Sequence, residues 1–193
     1  MLGLKLATDP RWVNIAEKSI EEILIDHAFC EQKAASAGIS LIVRFSQYPD
    51  IVKEVSPVVA EEWGHFRKVL KELNSRGFEL GKQRKDTYVL ELQKFTKKGG
   101  TIETQLVEAL LVCAMIEARS CERFRLLSLH VSDDKLKEFY HEFMVSEAGH
   151  YRLFIGLAEK YKDKDYVRSR WQEFLDYEAE LMENMEYRGD RVH

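Results

Sequence analysis

Apolar residues recur at helical spacing from near the start of the chain. In the segment Trp12–Ala37 they fall at Ile20, Leu24 and Ala34, which predicts a first long helix. Gly38 follows, and we expect it to stop or bend that helix. The short apolar stretch ISLIVRFSQYP then leads to the next helical pattern.

A second helix is predicted to begin at Asp50, a good N-cap residue, and to run to about Arg76. Gly77 supplies its C-terminal cap. Pro57 lies inside this pattern. Because Ser56 before it is also a good cap, we expect Pro57 to kink the helix or to restart it.

Residues 77–101 interrupt the pattern. The segment is charged and basic at both ends, and only Tyr88 to Phe95 forms one or two weakly amphipathic turns. We predict a long crossover connection here. Thr101 then begins a third helix, with the stripe Leu106, Leu110, Cys113, Glu117, Cys121 and Phe124 at a spacing of about 3.5 residues.

Two further helices complete the chain. The sequence SDD at 132–134 is a strong start signal for a fourth helix to about Tyr161, with the stripe Phe139, Phe143, Glu147, His150, Phe154 and Leu157. A fifth amphipathic helix, expected to pack across the others, spans Asp165 to Tyr187 with an apolar side of Trp171, Phe174, Leu175, Leu181, Met182 and Met185.

Four long helices with a long link between the second and the third are typical of a ferritin-like bundle, in which one crossover joins two antiparallel pairs. We therefore predict an all-α, ferritin-like four-helix bundle with an additional C-terminal helix at about 165–187, as a single domain over residues 1–193. Composition agrees, because 45% hydrophobic and 32% charged residues with only 3 prolines favour an ordered helical protein.

Charge and cysteine content exclude several classes of protein. A formal net charge of -4 argues against a broadly basic nucleic-acid-binding body, so any such contact must be local. Cys30, Cys113 and Cys121 form no CxxC pair, which favours reduced thiols over a zinc ribbon or a disulfide scaffold.

The N-terminus does not resemble a signal peptide, and no long apolar run occurs. We expect a soluble, cytoplasmic protein without membrane contact.

Glutamate and histidine lie three residues apart at two places. EEWGHF contains Glu62 and His65, and SEAGHY contains Glu147 and His150. Residues at i and i+3 share a helix face, and both pairs fall on apolar stripes, where an unpaired carboxylate would be costly to bury. A solvated face or a hydrogen-bonded core histidine would explain one such pair. Two pairs in these positions indicate a site.

Each pair has one further acidic residue about thirty positions upstream on the preceding helix, Glu31 before Glu62 and Glu117 before Glu147. An antiparallel hairpin brings such positions to the same level. Glu122 competes with Glu117, but it falls off the apolar stripe, so we choose Glu117. The predicted metal ligands are Glu31, Glu62, His65, Glu117, Glu147 and His150.

This ligand set is that of di-iron and di-manganese carboxylate bundles, which take one Glu from each of two helices and a Glu-x-x-His pair from each of the other two. Carboxylates can bridge two cations and neutralise their charge, while one imidazole per metal leaves positions open for oxygen. His27, one turn before Glu31, is either a hydrogen-bond partner of that ligand or, as we favour, a plain buried or semi-exposed histidine. Cys30 and Cys121 are interpreted as small buried hydrophobes.

The stretches IDHAFCEQKAA, EEWGHF, IEARSCERF and SEAGHY together resemble the tRNA 2-methylthio-N6-isopentenyladenosine hydroxylase family, often called MiaE. The similarity covers roughly residues 5 to 185. It implies a non-haem centre of two iron ions held by the six predicted ligands, with no catalytic residue beyond them. It also implies hydroxylation of the isopentenyl group of a modified adenosine beside the tRNA anticodon, with O2 as co-substrate and an external electron donor such as a reductase.

The crossover offers a candidate contact for tRNA. Arg84, Lys85, Lys94, Lys97 and Lys98 gather basic charge there and could contact anticodon-loop phosphates, with Arg84, Lys85, Lys97 and Lys98 as our predicted substrate-binding residues. A solvated loop is an equally good interpretation. Two other functions also remain open: a ferritin-like iron-handling or peroxide-detoxifying protein without an RNA substrate, and a metal-free helical interaction module.

Overall fold

The computed structural model describes residues 2–83, 85–185 and 192 of the 193-residue chain. The described residues form seven α-helices and no strand, so the predicted all-α class is confirmed. No helix among them combines the length and the apolar character needed to cross a bilayer. The helices are α1 (Trp12–Glu17), α2 (Ile20–Arg44), α3 (Pro49–Ser75), α4 (Thr87–Phe95), α5 (Ile102–His130), α6 (Asp134–Tyr161) and α7 (Lys164–Asn184).

The first predicted helix is two helices, and its predicted end is wrong. Ser19 leaves helical geometry (φ -138°, ψ 43°) and separates α1 from α2. α2 then passes through Gly38 and ends at Arg44. A Cβ on Gly38 would lie 2.6 Å from Val59 Cγ2. Gly38 therefore lets α2 and α3 approach closely, and this packing outweighs the roughly 1 kcal/mol that glycine costs inside a helix.

The second predicted helix is continuous, so the restart at Pro57 is wrong. α3 begins at Pro49, one residue before the predicted cap, where a missing N–H costs nothing. Pro57 lies on the exposed side of α3, where water can hydrate the carbonyl that the proline ring leaves without an amide donor. Gly77, with φ +77°, ends α3, and the amides of Gly77 and Phe78 bond the carbonyls of Asn74 and Leu73 in a Schellman motif.

The later boundaries follow the sequence more closely. The predicted turns in the crossover form α4, with Tyr88 and Leu92 buried. Thr101 caps α5 by accepting a hydrogen bond from the amide of Thr104, and Asp133 caps α6. α7 ends at Asn184, short of the predicted Tyr187, which lies outside the described residues.

The helices group into two compact units, one containing α1–α3 and the other containing α4–α7 and the N-terminal segment up to Pro10. In the first unit α2 and α3 are antiparallel, because Glu31 faces His65 while Gly38 faces Val59. In the second unit the antiparallel pair is α5 and α6, because Cys121 contacts Met144 while Phe124 stacks on Tyr140. α7 packs on α4, α5 and α6.

Within the second unit, a buried ion pair joins α5 to α7. Arg119 donates from Nε and Nη2 to the two carboxylate oxygens of Glu178, at 2.8 and 2.9 Å. The same guanidinium donates to Glu122 and to the Leu6 carbonyl. Tyr88 of α4 also donates to Glu178, and burial together with that carboxylate raises the pKa of Tyr88, which keeps the phenol protonated. The cluster fastens the N-terminal segment and α4 to the helix pair.

A second buried pair lies farther along the same two helices. Arg170 donates to both oxygens of Glu108, each at 2.8 Å, and to the Phe95 carbonyl at 2.9 Å. Its guanidinium carbon lies 4.5 Å from the Phe95 ring centroid and 4.6 Å from that of Phe174. The end of the crossover is therefore held by charge and by aromatic contact.

Replacing Arg119 by Met should destabilise the protein by about 3–5 kcal/mol, because Glu178 would be left as an uncompensated buried charge. Adding Glu178→Leu should recover a large part of this loss. Chemical denaturation followed by circular dichroism measures both effects. The exposed Arg168→Met on α7 is the matched control, and a single variant as stable as that control would contradict the assigned role of the pair.

Candidate metal centre

Glu31, Glu62 and His65 come together in the unit that contains α2 and α3. His65 Nδ1 lies 3.3 Å from Glu31 Oε2 and 3.5 Å from Glu62 Oε2. One ligand atom from each residue lies within 4.8 Å of the other two. Both carboxylates are buried, whereas the His65 side chain keeps 15% of its surface exposed. We call these three residues the α2–α3 trio.

His27 supports this trio from one turn away on α2. The histidine is completely buried, and its Nε2 lies 2.8 Å from Glu31 Oε1. When Glu31 is ionised, its carboxylate accepts this hydrogen bond from the Nε2–H tautomer of His27. His27 is therefore the hydrogen-bond partner of a predicted ligand, which was the alternative that sequence reasoning favoured less.

The second unit holds an equivalent trio on α5 and α6, formed by Glu117, Glu147 and His150. Their ligand atoms also lie within 4.8 Å of one another, and His150 Nδ1 is 3.9 Å from Glu147 Oε2. All three residues are buried. Within the described residues, Glu147 Oε1 is buried without a hydrogen bond, which is costly for a carboxylate oxygen unless a cation binds it.

Glu122, the competing acidic residue on α5, points into different surroundings. Its carboxylate accepts from the Thr8 amide and hydroxyl, both at 2.8 Å, and from Arg119 at 3.1 Å. Glu122 thus belongs to the buried ion-pair cluster, whereas Glu117 lies with Glu147 and His150. Sequence reasoning missed this cluster. Arg119 lies within the stretch IEARSCERF itself, but its partner Glu178 lies 59 residues away, and no local pattern joins the two.

The two cysteines near the trios differ in their surroundings. Cys121 is buried and its thiol donates to the Met144 carbonyl at 3.2 Å. Burial and the nearby Glu147 raise the pKa of this thiol to about 12, so it stays protonated and unreactive. Cys30 is half-buried, with its sulfur 3.9 Å from Asp26 Oδ2. The interpretation of Cys121 as a small buried hydrophobe holds, and Cys30 is less buried than expected.

The trios fit metal ions by composition. Each offers two carboxylates and one imidazole, a donor set suited to iron or manganese. Elsewhere, buried carboxylates such as Glu178 and Glu108 are matched by arginines. Glu62 and Glu147 lie instead against histidines. A cation would supply the compensating charge at these positions.

The predicted tRNA-contacting residues of the crossover have mixed surroundings. Arg84 lies outside the described residues, and Lys85 and Lys98 are exposed. Lys97 is exposed too, but its ammonium pairs with Glu173 at 3.4 Å and its backbone amide donates to Glu108. Lys94 pairs with Glu91 at 2.6 Å. The basic charge of this segment is therefore partly neutralised within the chain.

Comparison with known proteins gives consistent results. The family model for tRNA-(ms2io6A)-hydroxylase (MiaE) matches residues 2–193. A tRNA 2-(methylsulfanyl)-N(6)-isopentenyladenosine(37) hydroxylase of Pseudomonas putida is 38% identical over 157 residues, covering 81% of this chain and 75% of the relative. The Salmonella typhimurium protein of the same name is 25% identical over 228 residues, and the match covers 93% of this chain and 83% of that protein.

A solved structure also matches. Protein 43 with aldehyde deformylating oxygenase activity, from Synechococcus, superimposes with a TM-score of 0.92 at 33% identity, covering 98% of this chain and 94% of that one. Its ferritin-like di-iron fold confirms the predicted fold class. The comparisons favour an enzyme over the iron-handling alternative. The chain belongs to the tRNA-(ms2io6A)-hydroxylase (MiaE) family, as the resemblance of its four ligand stretches implied.

Proposed function

We propose that the residues of the two trios are the ligands of two iron ions and that the protein uses this iron to hydroxylate the isopentenyl group of 2-methylthio-N6-isopentenyladenosine in tRNA. Family membership supports the reaction and the substrate. The observation that carries the metal centre is the repetition of one donor set, two carboxylates with one imidazole, on each antiparallel helix pair. The proposed iron ligands are Glu31, Glu62, His65, Glu117, Glu147 and His150.

Atoms and electrons balance in the proposed hydroxylation. One C–H bond of the isopentenyl group becomes C–OH, the second oxygen atom of O2 leaves as water, and two electrons and two protons are consumed. When bound, the iron pair would supply the activation of O2. We propose an electron-transfer reductase as the source of the electrons and the anticodon-loop region of cytoplasmic tRNA as the substrate.

The side chains of the chain have separate tasks in this proposal. Glu62 and Glu147 neutralise the cations from buried positions. His27 holds Glu31 through the 2.8 Å hydrogen bond and so fixes which oxygen remains for metal. Burial of the carboxylates excludes water, which protects a reactive centre from side reactions. His65 is the most exposed of the six proposed ligands, so solvent reaches the α2–α3 trio at that residue.

The purified protein should contain about two iron ions per chain, as carboxylate-bridged bundles do. Replacing Glu62 or Glu147 by Ala should lower this content by at least half, because each variant removes a charged oxygen ligand. Elemental analysis of the protein measures the loss. Glu138→Ala, an exposed acidic position on the same helix as Glu147, is the matched control. Iron content unchanged in both ligand variants would rule them out as ligands.

Incubating isopentenylated tRNA with reduced protein and O2 should add the mass of one oxygen atom to the modified adenosine, because the proposed reaction inserts one atom of O2. Mass spectrometry of the digested nucleosides measures this gain. tRNA lacking the isopentenyl group should remain unchanged, and Glu147→Ala should be inactive. Rapid consumption of peroxide with unchanged nucleosides would instead support the iron-handling alternative.

A second candidate activity is removal of the formyl group from an aldehyde, which the Synechococcus structure favours because that protein is named for such an activity. The same reduced preparation supplied with an aldehyde and O2 discriminates between the two. Under our proposal, formate does not accumulate while tRNA is hydroxylated. Formate release at a rate above that of tRNA hydroxylation would favour the second candidate.

A further inference from the structure

The C-terminal half of α3 presents an exposed aromatic and basic surface. Trp63, Arg67 and Lys71 follow one another at intervals of four residues, so they lie in a row on one side of the helix, about 6 Å apart along its axis. All three are exposed. Lys68 lies at the edge of the row and is exposed as well. We call these four residues the α3 outer surface.

Local charge sets this surface apart from the rest of the chain. The whole protein carries a formal charge of -4. From 63 to 75, however, the exposed charged residues are Arg67, Lys68 and Lys71, all of them basic. The only carboxylate in this stretch, Glu72, is buried and accepts from Arg76 Nε at 2.7 Å. Between 63 and 75, α3 therefore exposes basic side chains and no carboxylate. Glu61, exposed just before this stretch, lies 3.8 Å from His65 Nε2.

Trp63 contributes a large aromatic ring to the same surface. Its exposed fraction is 48%, although burying a tryptophan side chain is strongly favourable. The ring packs against Phe66, with centroids 4.9 Å apart, and this contact supports one part of the indole while leaving the rest open. A supported, exposed aromatic ring beside basic side chains is the arrangement by which proteins bind single-stranded nucleic acid.

We propose that the α3 outer surface binds the anticodon loop of tRNA. Trp63 stacks on an unpaired base, and Arg67 and Lys71 contact phosphates of the same strand. The inference rests on the proposed function and names the docking surface that this function requires. It places the main contact on α3, because Lys94 and Lys97 of the crossover pair with acidic side chains, whereas Lys85 and Lys98 are exposed.

Position along α3 supports the same occupant. Trp63 lies between Glu62 and His65 in sequence, so the proposed stacking residue and two proposed iron ligands occupy a single turn of one helix. The ligands point inward to Glu31, whereas Trp63 points to solvent. A loop bound on this turn would be held next to the helix that carries the metal ligands.

The test is a comparison of tRNA affinity among matched surface variants. The probe is isopentenylated tRNA, titrated at several KCl concentrations. Arg67→Ala/Lys71→Ala should raise Kd on the order of 10-fold or more at low salt and reduce the salt slope by about 1 to 2. Trp63→Ala should raise Kd about 5- to 100-fold, while Trp63→Phe, which retains a stacking ring, should stay within about 3-fold of the wild type.

Two control variants remove the same charge elsewhere. Arg125→Ala/Lys135→Ala, at exposed positions on α5 and α6, should bind tRNA as the wild type does. Lys97→Ala/Lys98→Ala tests the crossover directly and should have a smaller effect than the α3 pair. Circular dichroism and iron content should be unchanged in every variant, so that a loss of binding reports the surface and not the fold.

The outcomes separate the two proposals. If the wild type hydroxylates tRNA while the α3 variants bind and turn over like the wild type, the docking surface lies elsewhere and the proposed function stands. Loss of binding only in the crossover variant would lead to the same conclusion. If the wild type neither binds nor hydroxylates the isopentenylated tRNA, the proposed function fails, and the docking proposal fails with it.

Discussion

A carboxylate buried in an apolar interior needs a compensating positive charge, and much of this structure depends on how that requirement is met. Glu178 and Glu108 are compensated by arginines that each contact both carboxylate oxygens. Glu62 and Glu147 lie against histidines instead, and imidazole, like carboxylate, is a metal ligand. The same physical requirement thus produces interhelical clamps in one set of positions and, in our proposal, an iron centre in the other.

The trios also depend on how closely each helix pair packs. Gly38 lets α2 approach α3 until Val59 fills the space that a Cβ would occupy, and this contact sets the register in which Glu31 meets His65. On the other pair, the Cys121 thiol reaches the Met144 carbonyl one turn from Glu117. Because Gly38 and Cys121 are small, each helix pair packs closely at these contacts. The glutamate and histidine side chains of the trios, which lie one or two turns away, can then reach one another. Packing of ordinary residues therefore positions the donors.

Sequence periodicity was sufficient to locate the four long helices and to select the residues of the trios, because a polar residue on an apolar stripe stands out without any tertiary information. It was insufficient where a tertiary contact reverses the local preference. Gly38 looks like a helix stop until Val59 is known to pack on it, and Pro57 looks like a restart although α3 is continuous through it. The burial of Arg119 could not be predicted from the sequence, because its partner Glu178 lies 59 residues away.

The two sides of α3 suggest how docking and chemistry would be connected. Enzymes that modify a base take it out of the stack and must meet the cost of unstacking. A tryptophan that stacks on a neighbouring base would offset part of this cost, and Trp63 stands one residue from Glu62. Arg67 and Lys71 would hold the backbone while the modified adenosine leaves the loop. In this arrangement the helix that contributes two iron ligands also lowers the free energy needed to present the substrate.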